Sequence, residues 1–311
     1  MTPDEPEGRA PESLSDIDAD APTVVSLSDI HGYLSDARSA LELVGEAFDR
    51  PLVEADDEGR LHWAGGDEYV LVFLGDTIDR GPSNTETLET VWRLRDEAPD
   101  GHVVHLLGNH EANALFPYVY HWSHWYSADP PDDILRRLVD DVAAGRLSAA
   151  FEAYGRTYVH AGSNRPFSIS EVNATLREAG EILKRGLEGG PNGWFDAQEE
   201  AYDVAEEIVG MGSSGSDAVR GPGAGLLWMD FQYMDDDAPA QVIGHTRTER
   251  PVRRGNVVNV NTIRVNLDGS GGESITVATE SSIDALVRGV DGSVERVSLS
   301  RTGVADDSDD E

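Results

Sequence analysis

Five short apolar runs spread along the chain each stop at polar side chains next to glycine. TVVSLS at 23–28 leads into Asp29-Ile30-His31-Gly32, YVLVFL at 69–74 into Gly75-Asp76-Thr77-Ile78-Asp79-Arg80-Gly81, and HVVHLL at 102–107 into Gly108-Asn109-His110-Glu111. Further on, the run ending in Tyr158-Val159 delivers His160-Ala161-Gly162, and Gln241-Val242-Ile243 delivers Gly244-His245-Thr246. Runs of this length read as strands, and one as dense as YVLVFL reads as a strand covered on both faces. In open α/β sheets the carboxyl ends of strands face one crevice, so polar groups from distant parts of the chain are expected to converge there. The glycines permit tight turns and a close approach of backbone to a ligand.

The segments between these runs fit that arrangement. Leu34, Ala37, Leu41, Val44 and Phe48 recur at helical spacing, a second helix is expected over 84–96, and helical patterns cover 134–154, 169–187 and 197–208. Strands alternating with helices predict an α/β core. Beyond residue 241 the runs NVVNVN, RVNLD, ESITVATE, ALVRGV and VERVSLS are short, β-rich and separated by Asn, Asp and Gly, which predicts a second, mostly antiparallel sheet. Residues 210–225, GMGSSGSDAVRGPGAG, read as a glycine-rich loop, and 50–66 as a surface insertion. One two-sheet domain is expected over 23–302. The acid-rich ends at 1–22 and 303–311 carry too few large apolar side chains to fold and read as disordered tails.

The 311 residues include no cysteine, which excludes a disulfide framework, a thiolate zinc site, an iron–sulfur cluster and a cysteine nucleophile. Any metal must then use nitrogen and oxygen donors. Asp29, His31, Asp76, Asn109, His160 and His245 would bring six of these together, too many for one ordinary site and suited to two. With two oxygens, Asp76 can bridge a pair of cations. Two metals about 3.5–4 Å apart can share a hydroxide, generate it at neutral pH and hold a phosphoryl oxygen for in-line displacement. Mixed imidazole, carboxylate and amide donors favour Mn²⁺, with Fe or Zn²⁺ as alternatives, over Ca²⁺ or Mg²⁺ alone. Each motif by itself reads as an ordinary turn or cap. The ordered set does not, and four of the nine histidines fall inside it.

Gly-Asp-x-x-Asp-Arg-Gly at 75–81 and Gly-Asn-His-Glu at 108–111 resemble the motifs of calcineurin-like metallophosphoesterases, and within them of the phosphoprotein phosphatase branch. The resemblance covers roughly residues 23–248. It implies a two-sheet β sandwich flanked by helices, with the metal site at the strand ends and the later β-rich runs in the second sheet. It implies one metal on Asp29, His31 and Asp76, and a second on Asp76, Asn109, His160 and His245. His110 would be the general acid that protonates the departing alkoxide, and Asp79 would orient that imidazole and keep it charged. Arg80 would grip phosphate oxygens through its planar fork, beside Asn109. The implied activity is a binuclear phosphomonoesterase of the serine/threonine protein phosphatase kind, in which metal-bridged hydroxide attacks phosphorus. A dinucleoside polyphosphate hydrolase or other nucleotide phosphoesterase is the nearest alternative, and an inactive phosphoprotein-binding module is the alternative of a different class.

Leu226-Leu227-Trp228-Met229-Asp230 resembles a segment of the protein phosphatases, but residues 231–244 lack the second phosphate-binding arginine usual in that branch. Arg220 and Arg247 flank the gap as substitutes. The aromatic stretch YVYHWSHWY at 118–126 reads either as a rim or as partly buried packing, with His121 and His124 outside the ligand set and Glu111 as a hydrogen-bond acceptor. Acidic residues number 59 against 24 basic ones, for a formal charge of −35, and Lys184 is the only lysine. This composition resembles that of proteins from salt-loving organisms and lacks the basic footprint of nucleic-acid binding. No run approaches the roughly 18 apolar residues of a membrane span, and the acidic start is unlike a signal peptide. The expected compartment is the cytoplasm, and the expected partner a phosphorylated protein or small phosphoester, with neither nucleic acid nor membrane.

Overall fold

The computed structural model describes residues 8–212, 218–263, 273–289 and 291–300. In chain order these form β1 (Thr23–Leu27), α1 (Leu34–Ala47), β2 (Val53–Ala55), β3 (Leu61–Trp63), β4 (Tyr69–Phe73), α2 (Asn84–Glu97), β5 (Val103–Leu106), α3 (Asn109–Leu115) and α4 (Pro117–Tyr120). Next come α5 (Asp132–Ala143), β6 (Leu147–Ser148), β7 (Ala150–Ala153), β8 (Arg156–Val159), α6 (Ile169–Glu188), α7 (Gly190–Val204) and α8 (Glu206–Val209). The described chain ends with β9 (Gln241–Ile243), β10 (Val252–Arg254), β11 (Val257–Asn259), β12 (Ser274–Ala278), β13 (Ile283–Arg288) and β14 (Val294–Ser298).

Among the described residues the strands make a seven-stranded sheet in the order β14-β13-β12-β1-β4-β5-β6, a five-stranded sheet in the order β10-β11-β9-β8-β7, and a β2-β3 hairpin. In the larger sheet β1, β4, β5 and β6 run parallel, so their carboxyl ends share one edge. In the smaller sheet β8, β9 and β11 are parallel to one another. Alternation along the strands sorts the core. Val24, Val70 and Val72 meet Phe151, Tyr158, Val242 and Val258 between the two sheets, while Val25, Leu71 and Phe73 turn the other way, onto Leu41 and Val44 of α1 and Val91 and Leu94 of α2. β4 is buried at every position, as the density of its apolar run requires. The fold is therefore the expected α/β sandwich flanked by helices.

Several expectations are corrected. The β-rich runs after residue 241 do not all enter the second sheet, because β12, β13 and β14 extend the first sheet antiparallel from β1. β1 would otherwise present an unpaired edge, and alternating apolar residues reveal a buried face without revealing which edge the strand joins. Residues 134–154 are not one helix: Gly145 at φ 72° stops the chain after α5, and β6 and β7 follow. The stretch 50–66 is more than a surface insertion, since its hairpin buries Leu52 and Leu61. Nor is 1–22 wholly a tail. Ser13 bridges Glu152 on the edge of β7, the Glu152 N–H donates to the Glu12 carbonyl, and Ile17 is buried between the sheets. Edge pairing and one isoleucine suffice for this, although the local composition is polar. Residues 1–7 and the expected tail at 303–311 lie outside the described residues.

Candidate active site

All five motif-bearing strand ends converge. Asp29 and His31 follow β1, Asp76 follows β4, Asn109 opens α3 after β5, His160 follows β8 and His245 follows β9, and all six are buried. A cavity of about 410 Å³ opens above them, lined by His31, Asp76, Asn109 and His245 together with three arginines, Arg80, Arg220 and Arg247. The turns that deliver these groups are strained. Asp29, His31, Asp76, Asp79, Arg80 and His245 have φ of 53°, 50°, 55°, 74°, 72° and 61°, so six of the nine described non-glycine residues with positive φ belong to the site. Each such conformation costs of order 1–3 kcal/mol and persists where its surroundings over-determine it. Here Gly75 and Gly108 let two loops touch, because a Cβ on either would run into the backbone of the other loop. Glu111 ties the same loops: its carboxylate accepts from Asp76 N at 2.8 Å, Gly108 N at 3.0 Å, Thr77 N at 2.7 Å and Thr77 Oγ1 at 2.6 Å.

The donor atoms fall into two sets that share one oxygen. Asp76 Oδ2 lies 3.5 Å from His31 Nε2 and 3.5 Å from His160 Nε2. On the first side, Asp29 Oδ1 is 3.7 Å from His31 Nε2, and His31 Nδ1 is 2.9 Å from the Ile78 carbonyl. On the second, Asn109 Oδ1 stands 3.0 Å from both His160 Nε2 and His245 Nδ1, which are 3.2 Å apart, while His160 Nδ1 is 2.7 Å from the Leu74 carbonyl. Those carbonyls accept the Nδ1 protons and leave the inward Nε2 atoms of His31 and His160 with lone pairs. Asp29 Oδ1 is buried without a hydrogen-bond partner, although Asp29 Oδ2 accepts from Ser28 Oγ and from His245 N.

The electrostatics agree. Burial pushes the Asp76 carboxyl well above its ordinary range, with Asp29 and Glu111 adding to the rise and His110 opposing it. Burial likewise raises Asp29, and burial with His160 and Arg220 nearby holds His245 well below the usual imidazole value. Buried carboxylates short of positive charge beside an imidazole, His245, short of protons are what a bound divalent cation relieves. The residues present therefore fit metal ions, and the buried groups able to hold one include Asp76 with His160 and His245, and Asp76 with His31 and His110.

His110 sits beside both sets. Its Nδ1 donates to Asp79 Oδ2 at 2.5 Å, and its Nε2 is 4.0 Å from Asp76 Oδ2 and 2.8 Å from Arg80 Nη2. Burial works against charge on this ring, yet Asp76 and the bond to Asp79 outweigh it and raise its pKa. Of the two substitute arginines, Arg220 places Nη2 2.8 Å from His245 Nε2 and 2.9 Å from Asp230 Oδ1, and Arg247 lines the same cavity. The aromatic stretch is both rim and core: Tyr120 is buried, whereas Trp122 walls the cavity 5.2 Å from the His110 ring. His121 and His124 join no group able to hold a metal among the described residues. The sequence reading missed Ser127, Asn113 and Asn84, which hold the Asp79 loop and carry no motif signal.

A family model of the calcineurin-like phosphoesterases matches residues 22–246. The chain belongs to that family, and is thus a metal-dependent hydrolase of phosphate esters. Among solved structures it is similar in fold to the cold-active protein-tyrosine phosphatase of a psychrophilic Shewanella species, with 19% identity, a TM-score of 0.61, and coverage of 95% of this chain and 85% of that one. A protein serine/threonine phosphatase from Saccharomyces cerevisiae aligns at 13% identity and a TM-score of 0.46, covering 88% of this chain and 77% of that one. Among the described residues no helix is long and apolar enough to cross a membrane.

Proposed function

We propose that the chain is a binuclear metal-dependent phosphomonoesterase acting on phosphoserine and phosphothreonine in proteins. The observation that carries this reading is the single oxygen, Asp76 Oδ2, shared by two complete donor sets, with the His110–Asp79 pair alongside. Asp29 Oδ1, His31 Nε2 and Asp76 Oδ2 would hold one cation, and Asp76 Oδ2, Asn109 Oδ1, His160 Nε2 and His245 Nδ1 the other. When bound, divalent ions there, Mn²⁺ first among them, supply Lewis acidity and activation of water.

The protein's own groups do the rest. Arg80, Arg220 and Arg247 give an acidic molecule a locally cationic cavity for the phosphate dianion. With Nδ1 as its ligand atom, His245 would carry its proton on Nε2 and no longer accept from Arg220, which turns that guanidinium from the ring towards the anion while Asp230 still holds it. By the same logic a doubly protonated His110 stops accepting from Arg80. It holds its second proton on Nε2 for the leaving oxygen, while Asp79 stabilises the imidazolium through Nδ1. No phosphoenzyme is required.

Support for a protein substrate comes from the surface. The large hydrophobics exposed among the described residues are Tyr118, Phe195 and Val219. Val219 lines the catalytic cavity, and Tyr118, 5.3 Å from Phe195, lines a second hollow of about 570 Å³ that shares Trp122 with that cavity. Exposed apolar surface running from a catalytic cavity suits a peptide more than a small polar ester. Phosphotyrosine is the second reading, favoured by the Trp122 wall beside His110 and consistent with the name of the similarly folded Shewanella enzyme. Turnover of phosphothreonine and phosphotyrosine peptides and of diadenosine tetraphosphate, with and without chelator, tests these readings. Fastest turnover of the phosphothreonine peptide, abolished by chelation, is expected; preference for the dinucleotide would contradict the protein-substrate reading, and absence of metal-dependent turnover would leave a binding module.

A further inference from the structure

The general-acid pair rests on a serine that lies outside every motif. Asp79 Oδ2 accepts from His110 Nδ1 at 2.5 Å and from Ser127 Oγ at 2.6 Å, and Asp79 Oδ1 accepts from Ser127 N at 2.8 Å. Behind them Asn113 Nδ2 stands 2.7 Å from Ser127 Oγ, and Asp79, Asn113 and Ser127 are all fully buried. Counting protons fixes the direction of each bond. A hydroxyl has one proton and an ionised carboxylate only accepts, so the Ser127 proton points at Asp79 and the Asn113 atom facing Ser127 must be the donating amide nitrogen. Asp79 is thus gripped by three donors on its two oxygens, in a residue whose φ of 74° is a conformation that local backbone preference does not secure.

We propose that Ser127, steered by Asn113, is a positioning residue for the general acid: it immobilises the Asp79 carboxylate so that the His110 ring presents Nε2 to the leaving oxygen. This rests on the phosphomonoesterase reading. As an oxygen from water bonds to phosphorus and the P–O bond to the leaving group breaks, the bonding pair goes to the leaving oxygen and the Nε2 proton of His110 follows it; the proton that the water gives up to solvent later restores Nε2. The Nδ1 proton stays bonded to Asp79, and Ser127 keeps its own proton throughout. Ser127 therefore matters where the leaving group needs a proton and matters little where it does not.

The test uses the Mn²⁺-loaded full chain with phenyl phosphate and p-nitrophenyl phosphate, whose leaving groups differ in their need for protonation. Ser127→Ala is expected to lower kcat on phenyl phosphate about tenfold, a fraction of what a general acid contributes, and on p-nitrophenyl phosphate about twofold or less. Bound metal per chain should not change, and Asn113→Ala should act in the same direction more weakly. A readout independent of turnover is solvent exchange of the His110 Nδ1 proton in the metal-free chain, followed by NMR and assigned by its absence from His110→Ala; Ser127→Ala should speed it. Equal losses on both esters, or unchanged exchange, would overturn the proposal. If the wild-type chain cleaves neither ester while the exchange still responds, the phosphomonoesterase reading fails and the positioning contact stands.

Discussion

At Asp76 one carboxylate serves two purposes: Oδ2 faces both donor sets, and Oδ1 accepts from His110 N at 2.9 Å and so anchors the start of α3. Asp76→Asn should therefore cut bound metal to one ion per chain or fewer and lower kcat at least a hundredfold, by comparison with the 10–100-fold typical of losing a partner behind a ligand; two ions per chain in the variant would count against the bridge. Glu111 is buried and touches no donor atom of the metal sets, yet it satisfies four donors. Glu111→Gln turns an amide toward some of those N–H groups and should cost about 3 kcal/mol in denaturant unfolding. A loss under about 1 kcal/mol would mean that the loops hold themselves. His105 on β5 offers the cleanest pH effect away from the site. Burial holds its pKa near 4 instead of 6.5, and neither ring nitrogen has a partner. Between those values the unfolded chain binds the extra proton and the folded chain does not, so stability falls as pH drops from 6.5 towards 4, by up to about 3 kcal/mol. His105→Leu should remove that part of the acid sensitivity; an identical pH slope in wild type and variant would refute it.

Elements bring the donors together, and here the sequence was legible in one respect and silent in another. Each proposed ligand follows a strand whose apolar run ends in glycine-flanked polar residues, a purely local signal, and the parallel order of β1, β4 and β5 then places three of those ends side by side. β6 and β7 were not legible because LSAAFEA is built from good helix formers, and the switch to strand comes from pairing with β5 and β8. The edge chosen by β12 was hidden for a related reason: periodicity reports burial, not neighbours. Ser127 and Asn113 left no trace, since a serine just past an aromatic stretch is unremarkable until the fold sets it against Asp79. The N-terminal segment tests how far edge covering stabilises the sandwich. Deleting residues 1–21 exposes the β7 edge and removes Ile17, and should cost about 2–4 kcal/mol, mostly from the lost isoleucine. Unchanged unfolding after the deletion would show the segment to be a passive decoration.

On the scale of the whole molecule the dominant fact is a formal charge of −35, against which the three arginines of the catalytic cavity stand out. Repulsion among surface carboxylates is long-ranged at low salt and collapses as the Debye length shortens from about 10 Å at 0.1 M to about 3 Å at 1 M. Thermal unfolding in rising KCl should thus show a Tm that climbs over this range, and a falling Tm would remove the case for adaptation to salt. The strand ends, the strained turns and the His110–Asp79 pair all converge on the proposed two-metal site. The direct measurement is anomalous scattering from a crystal of the Mn²⁺-loaded protein. Two peaks about 3.5–4 Å apart are expected, with Asp76 between them, His31 on one side and His160 with His245 on the other; a single peak, or ions bound away from Asp76, would refute the two-metal site.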